Sequence, residues 1–248
     1  MAKKMKIVAI IEARMTSSRL PGKVLLEAAG KPMLQHLVER LKLAPSIDEI
    51  VIATTVNDAD NELIKFCSSA NIKYFRGSEN DVMDRVIKTA QHFNADIIVE
   101  ITGDCPIIDP LIVEQVVRIF KNNRADYVSN AHVRTYPDGM DVQVFSLDSL
   151  VKSSSMTTNS LDREHVTLHI RNNPEIFSPI HIMAPPEIHW PELGLTLDEL
   201  GDYHLIKNII EYFSKSNATF TCQNIVEYLK NNSELLNLNQ SVVRKGDS

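Results

Sequence analysis

Ile11-Glu-Ala-Arg14-Met-Thr-Ser-Ser-Arg19-Leu-Pro-Gly-Lys23-Val-Leu25 follows directly on the apolar run Ile7 to Ile11. The run reads as a fully buried first strand, because a parallel sheet covered on both faces needs continuous apolar residues. The loop behind it gathers three cations (Arg14, Arg19, Lys23), three consecutive hydroxyls (Thr16, Ser17, Ser18) and a Pro21-Gly22 turn at the carboxyl end of that strand. In an open α/β sheet that edge is where ligands bind. Backbone N–H groups, hydroxyls and fixed cations together suit a polyanion such as a triphosphate.

The glycine-rich phosphate loops do not fit. The chain contains no G-x-x-x-x-G-K-[ST], and no G-x-G-x-x-G follows the first strand. Arginine and lysine in a surface loop are usually only solvated. Against that, the order A-R-x-x-S-S-R-L-P-G-K brings a cation back every four or five residues around one tight turn.

Outward from this loop, strands alternate with helices. Met33, Leu34, Leu37, Val38 and Leu41 recur at helix spacing behind Pro32, Glu49 to Thr55 reads as a second buried strand, and a helix (Asp60 to Ala70) and a short strand (Ile72 to Phe75) follow. Such alternation means parallel βαβ units. Lys31 faces either a ligand or solvent. Arg76-Gly-Ser78-Glu-Asn80-Asp-Val82 gives a second edge loop opening a helix, in which Ser78 suits an N-cap with Asp81 as its partner. Asp96 to Thr102 is a third central strand that runs into Gly103-Asp104-Cys105-Pro106. A carboxylate there, behind a glycine that admits a ligand closely, suits Mg²⁺ on a triphosphate; the alternative is a turn aspartate. Asp109 reads as the N-cap of a helix starting at Pro110.

From Asp126 the alternation breaks. Tyr127 to Asn130 and Val142 to Phe145 look like strands around Pro137-Asp138-Gly-Met-Asp141, a strong turn signal. Ser153 to Ser160 reads as flexible and Asp162 to His169 as a polar-faced helix. The proline-bearing stretch Ile180 to Leu193 reads as an excursion from the sheet, and Leu195 to Asp198 as a strand leading to a helix near Tyr203. A further helix covers Gln223 to Leu229. Residues 231–248 form a polar tail expected to fray.

A-R-M-T-S-S-R-L-P-G-K-V-L, with the motifs that follow it in order, resembles the cytidylyltransferases that activate sugars, most closely the spore coat polysaccharide biosynthesis type, relatives of the CMP-ulosonate (acylneuraminate and Kdo) synthetases. The resemblance covers roughly residues 5–230. It implies a three-layer α/β/α, Rossmann-like fold of the nucleotide-diphospho-sugar transferase kind, with a mostly parallel sheet and a small excursion, about 130–193, for dimerisation and acceptor binding. It implies one nucleotidyltransferase domain over 1–230, CTP as substrate, one or two Mg²⁺ ions and a homodimer. Residue by residue, it implies nucleotide contacts at Ala13, Arg14, Thr16, Ser17, Ser18, Arg19 and Lys23, and a base-side R-G-S-x-x-D-V segment in which Arg76, Ser78 and Asn80 offer donors and acceptors. Asp104 and Asp198 stand at the metal-carboxylate positions, although Glu199-Leu-Gly-Asp202 departs from the usual D-x-P-E-D. Asp138, Asp141 and Gln143 fall beside the acceptor sugar. Arg163, Glu164 and His165 match the acceptor-side R-E-H, of which at most two can share one helix face.

The totals bound this reading. A chain of 248 residues, 44% hydrophobic and 6% aromatic, is long enough for one large α/β domain. A formal charge of −6 argues against a nucleic-acid partner. Cys67, Cys105 and Cys222 are isolated, without C-x-x-C spacing, which fits a reducing cytoplasm. The N-terminal Met-Ala-Lys-Lys-Met-Lys resembles a signal n-region, but the apolar run ends at Glu12, too short for an h-region or a membrane span.

The expected chemistry is nucleotidyl transfer. An acceptor oxygen attacks the α-phosphorus in line, with Arg14, Arg19 and Lys23 countering charge on the departing pyrophosphate. The alternatives are another nucleoside triphosphate, a glycosyltransferase that binds a finished nucleotide sugar, and a binding protein without turnover. A glycosyltransferase typically uses a D-x-D for its metal, and this chain has none at the end of a central strand.

Overall fold

The computed structural model describes residues 4–216 and 219–243. In chain order the strands and α-helices are β1 (Ile7–Glu12), β2 (Glu27–Ala28), β3 (Lys31–Pro32), α1 (Met33–Leu41), β4 (Glu49–Thr55), α2 (Asn61–Ser69), β5 (Lys73–Gly77), α3 (Val82–His92), β6 (Ile97–Thr102), α4 (Pro110–Asn122), β7 (Tyr127–Ser129), β8 (Gln143–Ser146), α5 (Leu147–Met156), α6 (Ser160–Glu164), α7 (Leu168–Asn172), β9 (Pro179–His181), α8 (Leu200–Ser214) and α9 (Cys222–Asn231). β2 and β3 form a small separate hairpin. The other strands make one sheet in the order β5-β4-β1-β6-β8-β7-β9. β1 pairs in parallel with β4 and β6, and β4 with β5. β8 runs antiparallel between β6 and β7, and β9 is parallel to β7. The sheet is therefore mostly parallel, as expected.

Val8, Ala9, Ile10 and Ile11 are wholly buried because β1 is covered on both faces. Ala9 and Ile11 pack into one core with Leu34 and Leu37 of α1, Val113 and Val117 of α4 and Leu205 of α8. Val8 and Ile10 pack into the other with Met83 and Val86 of α3 and Leu150 of α5. Two helical layers thus enclose one sheet, and each buried isoleucine contributes roughly 1.5–3 kcal/mol. The helix starts are marked by side chains. Asp109 caps α4 by accepting the Leu111 N–H ahead of Pro110, as the sequence implied. At α3 the cap is Asp81, accepting from Asp84 N, and Ser78 Oγ accepts the Asp81 N–H one step earlier.

Several local expectations change. The helix expected over Asp162 to His169 is broken: α6 ends at Glu164, Val166 takes φ +38°, and α7 restarts at Leu168. Val166 tolerates that backbone because its side chain is buried in the second core. Ser153 to Met156 is the last turn of α5 and not a flexible run, with Ser153 Oγ 3.1 Å from His169 Nδ1. Ile180 and His181 belong to sheet strand β9, so the excursion starts later than expected. Leu195 to Asp198 is extended without being a strand; Leu195 N donates to Asp138 O at 2.7 Å and Leu197 N to Asp104 O at 2.8 Å. The tail is docked over its described part. A 3-10 turn spans Ser233–Leu238, and Asn239 Nδ2 donates to Gly194 O at 3.0 Å and Asp202 Oδ1 at 2.9 Å. Residues 1–3 of the basic N-terminus and 244–248 of the tail lie outside the described residues. Among the described residues no helix is long and apolar enough to cross a membrane.

Candidate active site

The basic loop is pinned from beneath by Asp60, a wholly buried carboxylate that the sequence did not single out. Its Oδ2 accepts from Thr54 Oγ1 (2.9 Å), Thr55 N (3.1 Å) and Thr55 Oγ1 (2.5 Å), and its Oδ1 accepts from Met15 N at 2.7 Å. The end of β4 and the loop after β1 are therefore held by one side chain. Gly22 then turns the chain at φ +70°, a conformation that favours glycine, with its N–H on Met15 O at 2.9 Å. That turn delivers Lys23 inward, where it is 9% exposed.

Lys23 Nζ lies 3.1 Å from Asp104 Oδ2 and 3.0 Å from Asp198 Oδ1. Arg19 Nη2 reaches the same Asp198 oxygen at 3.0 Å, while Nη1 lies 3.3 Å from Glu199 Oε1 and 3.0 Å from Val243 O. Burial works against the Lys23 charge, but the Asp104 and Asp198 carboxylates overcome it and hold its pKa above the ordinary lysine value. The two aspartates converge because the chain after Leu197 is hydrogen-bonded to Asp104, and because Asp202 Oδ2 accepts the Asp198 and Glu199 N–H groups at the start of α8. The departure at Glu199-Leu-Gly-Asp202 thus leaves the helix start capped, with Glu199 and Asp202 as reciprocal partners.

A cleft of about 300 Å³ opens over these residues at the carboxyl edge of the sheet. Ten of the expected site residues line it: Ala13, Arg14, Ser17, Ser18, Arg19, Lys23, Asp104, Asp198, Glu164 and His165. Arg163 does not; its guanidinium forks onto Asp81, with Nε at 3.0 and 2.9 Å and Nη2 at 2.5 Å, and ties α6 to the start of α3.

Other expected residues lie elsewhere. Thr16 is exposed outside the cleft lining. Arg76, expected at the base, spends its guanidinium on Thr55 O, Asn57 O and Asn61 Oδ1 at 2.8 to 2.9 Å, which fixes the turn after β4. Ser78 serves the α3 entry, and Asn80 is exposed away from the cleft. Lys31 pairs with Glu39 at 2.7 Å. Asp138 carries the Thr196 hydroxyl at 3.1 Å and the Arg134 guanidinium at 3.4 Å, so it braces the strand-like approach to Asp198. Gln143 is used internally: its Oε1 accepts from Tyr127 and Thr167, and its Nε2 donates to Glu100 at 3.0 Å. Asp141 is raised to about 7 by burial and then by the Asp138 carboxylate.

Gly103 lines it too, as the glycine ahead of Asp104, and Glu12, Val24, Val82, Arg85 and Thr102, which were not foreseen, complete the lining. Glu12 and Glu100 had a signal, a carboxylate inside or at the end of an otherwise apolar strand. Arg85, on a polar helix face beside Asp81 and Asp84, had none. Gly103 also serves the backbone: a Cβ there would stand 2.8 Å from Glu12 O, so the glycine lets β6 leave the sheet close beside β1.

Two carboxylates meeting on one point charge form a donor set that suits Mg²⁺, which takes one or two protein carboxylates and completes its shell with water and phosphate oxygens. Among the described residues no group of three or more His, Cys, Asp or Glu side chains could cage a metal. The pair therefore fits an ion that arrives with its substrate.

The family model for cytidylyltransferases matches residues 8–189. A cytidylyltransferase structure from Leptospira borgpetersenii superposes with a TM-score of 0.89 at 33% identity, over 97% of this chain and 100% of that one. Spore coat polysaccharide biosynthesis protein SpsF of Bacillus subtilis is 32% identical over 83% of this chain and 86% of its own. A CMP:2-keto-3-deoxy-manno-octonic acid synthetase complexed with CTP shares the fold, with a TM-score of 0.62 at 20% identity over 84% and 99% of the two chains.

Proposed function

The chain belongs to the cytidylyltransferase family, and from that premise we propose that it transfers CMP from CTP to a sugar acceptor, an ulosonic acid or a sugar phosphate, with release of pyrophosphate for surface polysaccharide biosynthesis. The observation that carries this reading is the Lys23 ammonium between Asp104 and Asp198 inside a cleft lined by Arg14 and Arg19. CTP as the donor is supported by the CTP-bound relative of the same fold.

In the reaction the acceptor oxygen attacks the α-phosphorus and the bond to the β-phosphate oxygen breaks. Lys23, Arg14 and Arg19 balance the charge that accumulates on the leaving pyrophosphate, and Lys23 and Arg19 are held in place before the substrate arrives, which is where electrostatic catalysis gains most. Asp104 and Asp198 would hold Mg²⁺, which when bound neutralises the triphosphate and polarises its oxygens. Once a triphosphate and its ion enter, Lys23 exchanges its carboxylate partners for phosphate oxygens. Glu164, the last residue of α6, and His165 just after it face the acceptor, and Asp141 stands near enough to Asp104 to be felt by it. A sugar 1-phosphate acceptor is already ionised and needs no base. We take residues 1–230 as a single nucleotidyltransferase unit, with a homodimer formed through the part of the 130–193 region that follows β9, where Met183 is 62% exposed.

Incubation with each of the four nucleoside triphosphates, Mg²⁺ and a pool of ulosonic acids and sugar 1-phosphates tests the reading. Pyrophosphate release with CTP is expected; release with none of the four would overturn it, and release only with another triphosphate would replace the donor.

A further inference from the structure

Among the described residues, two charged side chains that line the cleft each keep a buried polar atom without a hydrogen-bond partner, and both lie toward the α3 face of the sheet. Arg85 is 3% exposed; its Nη1 donates to Ser78 O at 2.5 Å, but its Nε has no acceptor. Glu12 Oε1 likewise has no donor. A buried polar atom left unpaired costs about 1–3 kcal/mol, so two in one cleft mark a place where something else completes the bonds.

The surroundings are built to keep these groups there. Gly77 ends β5 without a side chain, and a Cβ on it would stand 2.8 Å from Arg85 Cγ. Glu12 continues the alternation of Val8 and Ile10 and so points to the α3 face of the sheet. Lys23 is followed by Val24, and Asp198 preceded by Leu197, both in the opposite core. The cleft therefore crosses the sheet edge from the triphosphate end to a second end floored by Glu12 and Arg85 and walled by Val82. Glu12 also hydrogen-bonds Glu100, whose pKa burial and then the Glu12 charge push well above the usual carboxylate range. Burial raises Glu12 as well, but less far, so of the two Glu100 holds the shared proton more tightly and donates it, leaving Glu12 the acceptor.

We propose that Glu12 and Arg85 read the nucleobase, Glu12 accepting the 4-amino group of cytosine while Arg85 donates to its N3 and O2 edge. This assignment rests on the nucleotide reading above and adds the choice of base to it. Uracil presents a 4-oxo group to the carboxylate and an N3–H to the guanidinium, so both contacts become unfavourable together. A site built to hydrogen-bond one edge discriminates strongly against an edge that cannot reply.

Calorimetric titration of the full chain with CTP, UTP and inorganic triphosphate, for the wild type, Glu12→Gln and Arg85→Lys, tests it, with thermal melting to confirm that each variant is folded. The wild type should prefer CTP over UTP by at least about tenfold. Glu12→Gln, whose amide can turn either an oxygen or an NH₂ to the base, should bring the ratio to within about threefold while triphosphate binds as before. Arg85→Lys should lower the ratio as well, and either folded variant suffices to decide. Wild-type ratios in the folded variants overturn the base assignment and leave the nucleotide site standing. Absence of both CTP and triphosphate binding to the wild type overturns the nucleotide reading and this assignment together.

Discussion

Lys23 and Asp198 are 175 positions apart in the chain, yet the ammonium of one donates to the carboxylate of the other at 3.0 Å. The contact closes the site, because Asp198 is brought to the edge by the last third of the chain and Lys23 by the first loop. Replacing Lys23 by alanine removes the charge that balances both aspartates as well as a group aimed at the leaving phosphates. Lys23→Ala should lower the rate of pyrophosphate release by about a hundredfold, with far-ultraviolet circular dichroism unchanged. A folded variant at near wild-type rate would remove Lys23 from the chemistry.

Asp60 is the support for the basic loop, and it answers four hydrogen bonds from three residues. Asp60→Ala leaves those donors unsatisfied in the interior, at a cost of about 3 kcal/mol. Denaturant unfolding should show that loss, and CTP should bind more weakly because Met15 no longer anchors the loop. Unchanged stability would mean that water replaces the carboxylate and that the loop is held by other means.

Asp141 makes stability depend on pH. Burial, and then the Asp138 carboxylate, raise its pKa in the folded protein from the ordinary aspartate value of 3.8 to about 7, so folding favours the protonated form. The stabilisation is complete below about pH 4 and is lost as pH rises through about 7. The metal-free protein should therefore lose stability between those limits, and Asp141→Asn should flatten that part of the profile. Urea midpoints measured at steps of pH check this; an identical slope in the variant would assign the dependence to another group.

Gly139 turns at φ +101°, and a Cβ there would fall 2.7 Å from the Leu195 carbonyl. Gly139→Ala should destabilise the protein by about 1–3 kcal/mol and should also lower turnover, because the displaced segment leads to Asp198. Thermal melting and pyrophosphate assays on the same preparation separate the two effects. A loss of stability at full activity would show that the turn does not position Asp198.

The sheet was legible because uninterrupted apolar strands such as Ile7 to Ile11 have few alternatives, and the loop after β1 because its cations and hydroxyls have no role in a core. The convergence of Lys23, Asp104 and Asp198 followed the order of the motifs. Tertiary demands hid the rest. Arg76 looked like a ligand group and is consumed by the backbone of the β4 turn, while Arg85, which nothing in the sequence marked, is buried beside the cleft. The helix around His165 was broken by Val166, whose burial outweighs its local preference. The asparagine-rich tail has the composition of a frayed end, but Asn239 finds buried partners on Gly194 and Asp202.

The most direct measurement is the Mg²⁺ dependence of pyrophosphate release from CTP, in the presence of the acceptor pool, for the wild type, Asp104→Asn and Asp198→Asn. If the two carboxylates and Lys23 form one triphosphate site, the wild type responds to Mg²⁺ and each variant loses at least about tenfold in rate while melting as a folded protein. Folded Asp104→Asn and Asp198→Asn proteins that release pyrophosphate at the wild-type rate, with the wild-type response to Mg²⁺, would contradict it.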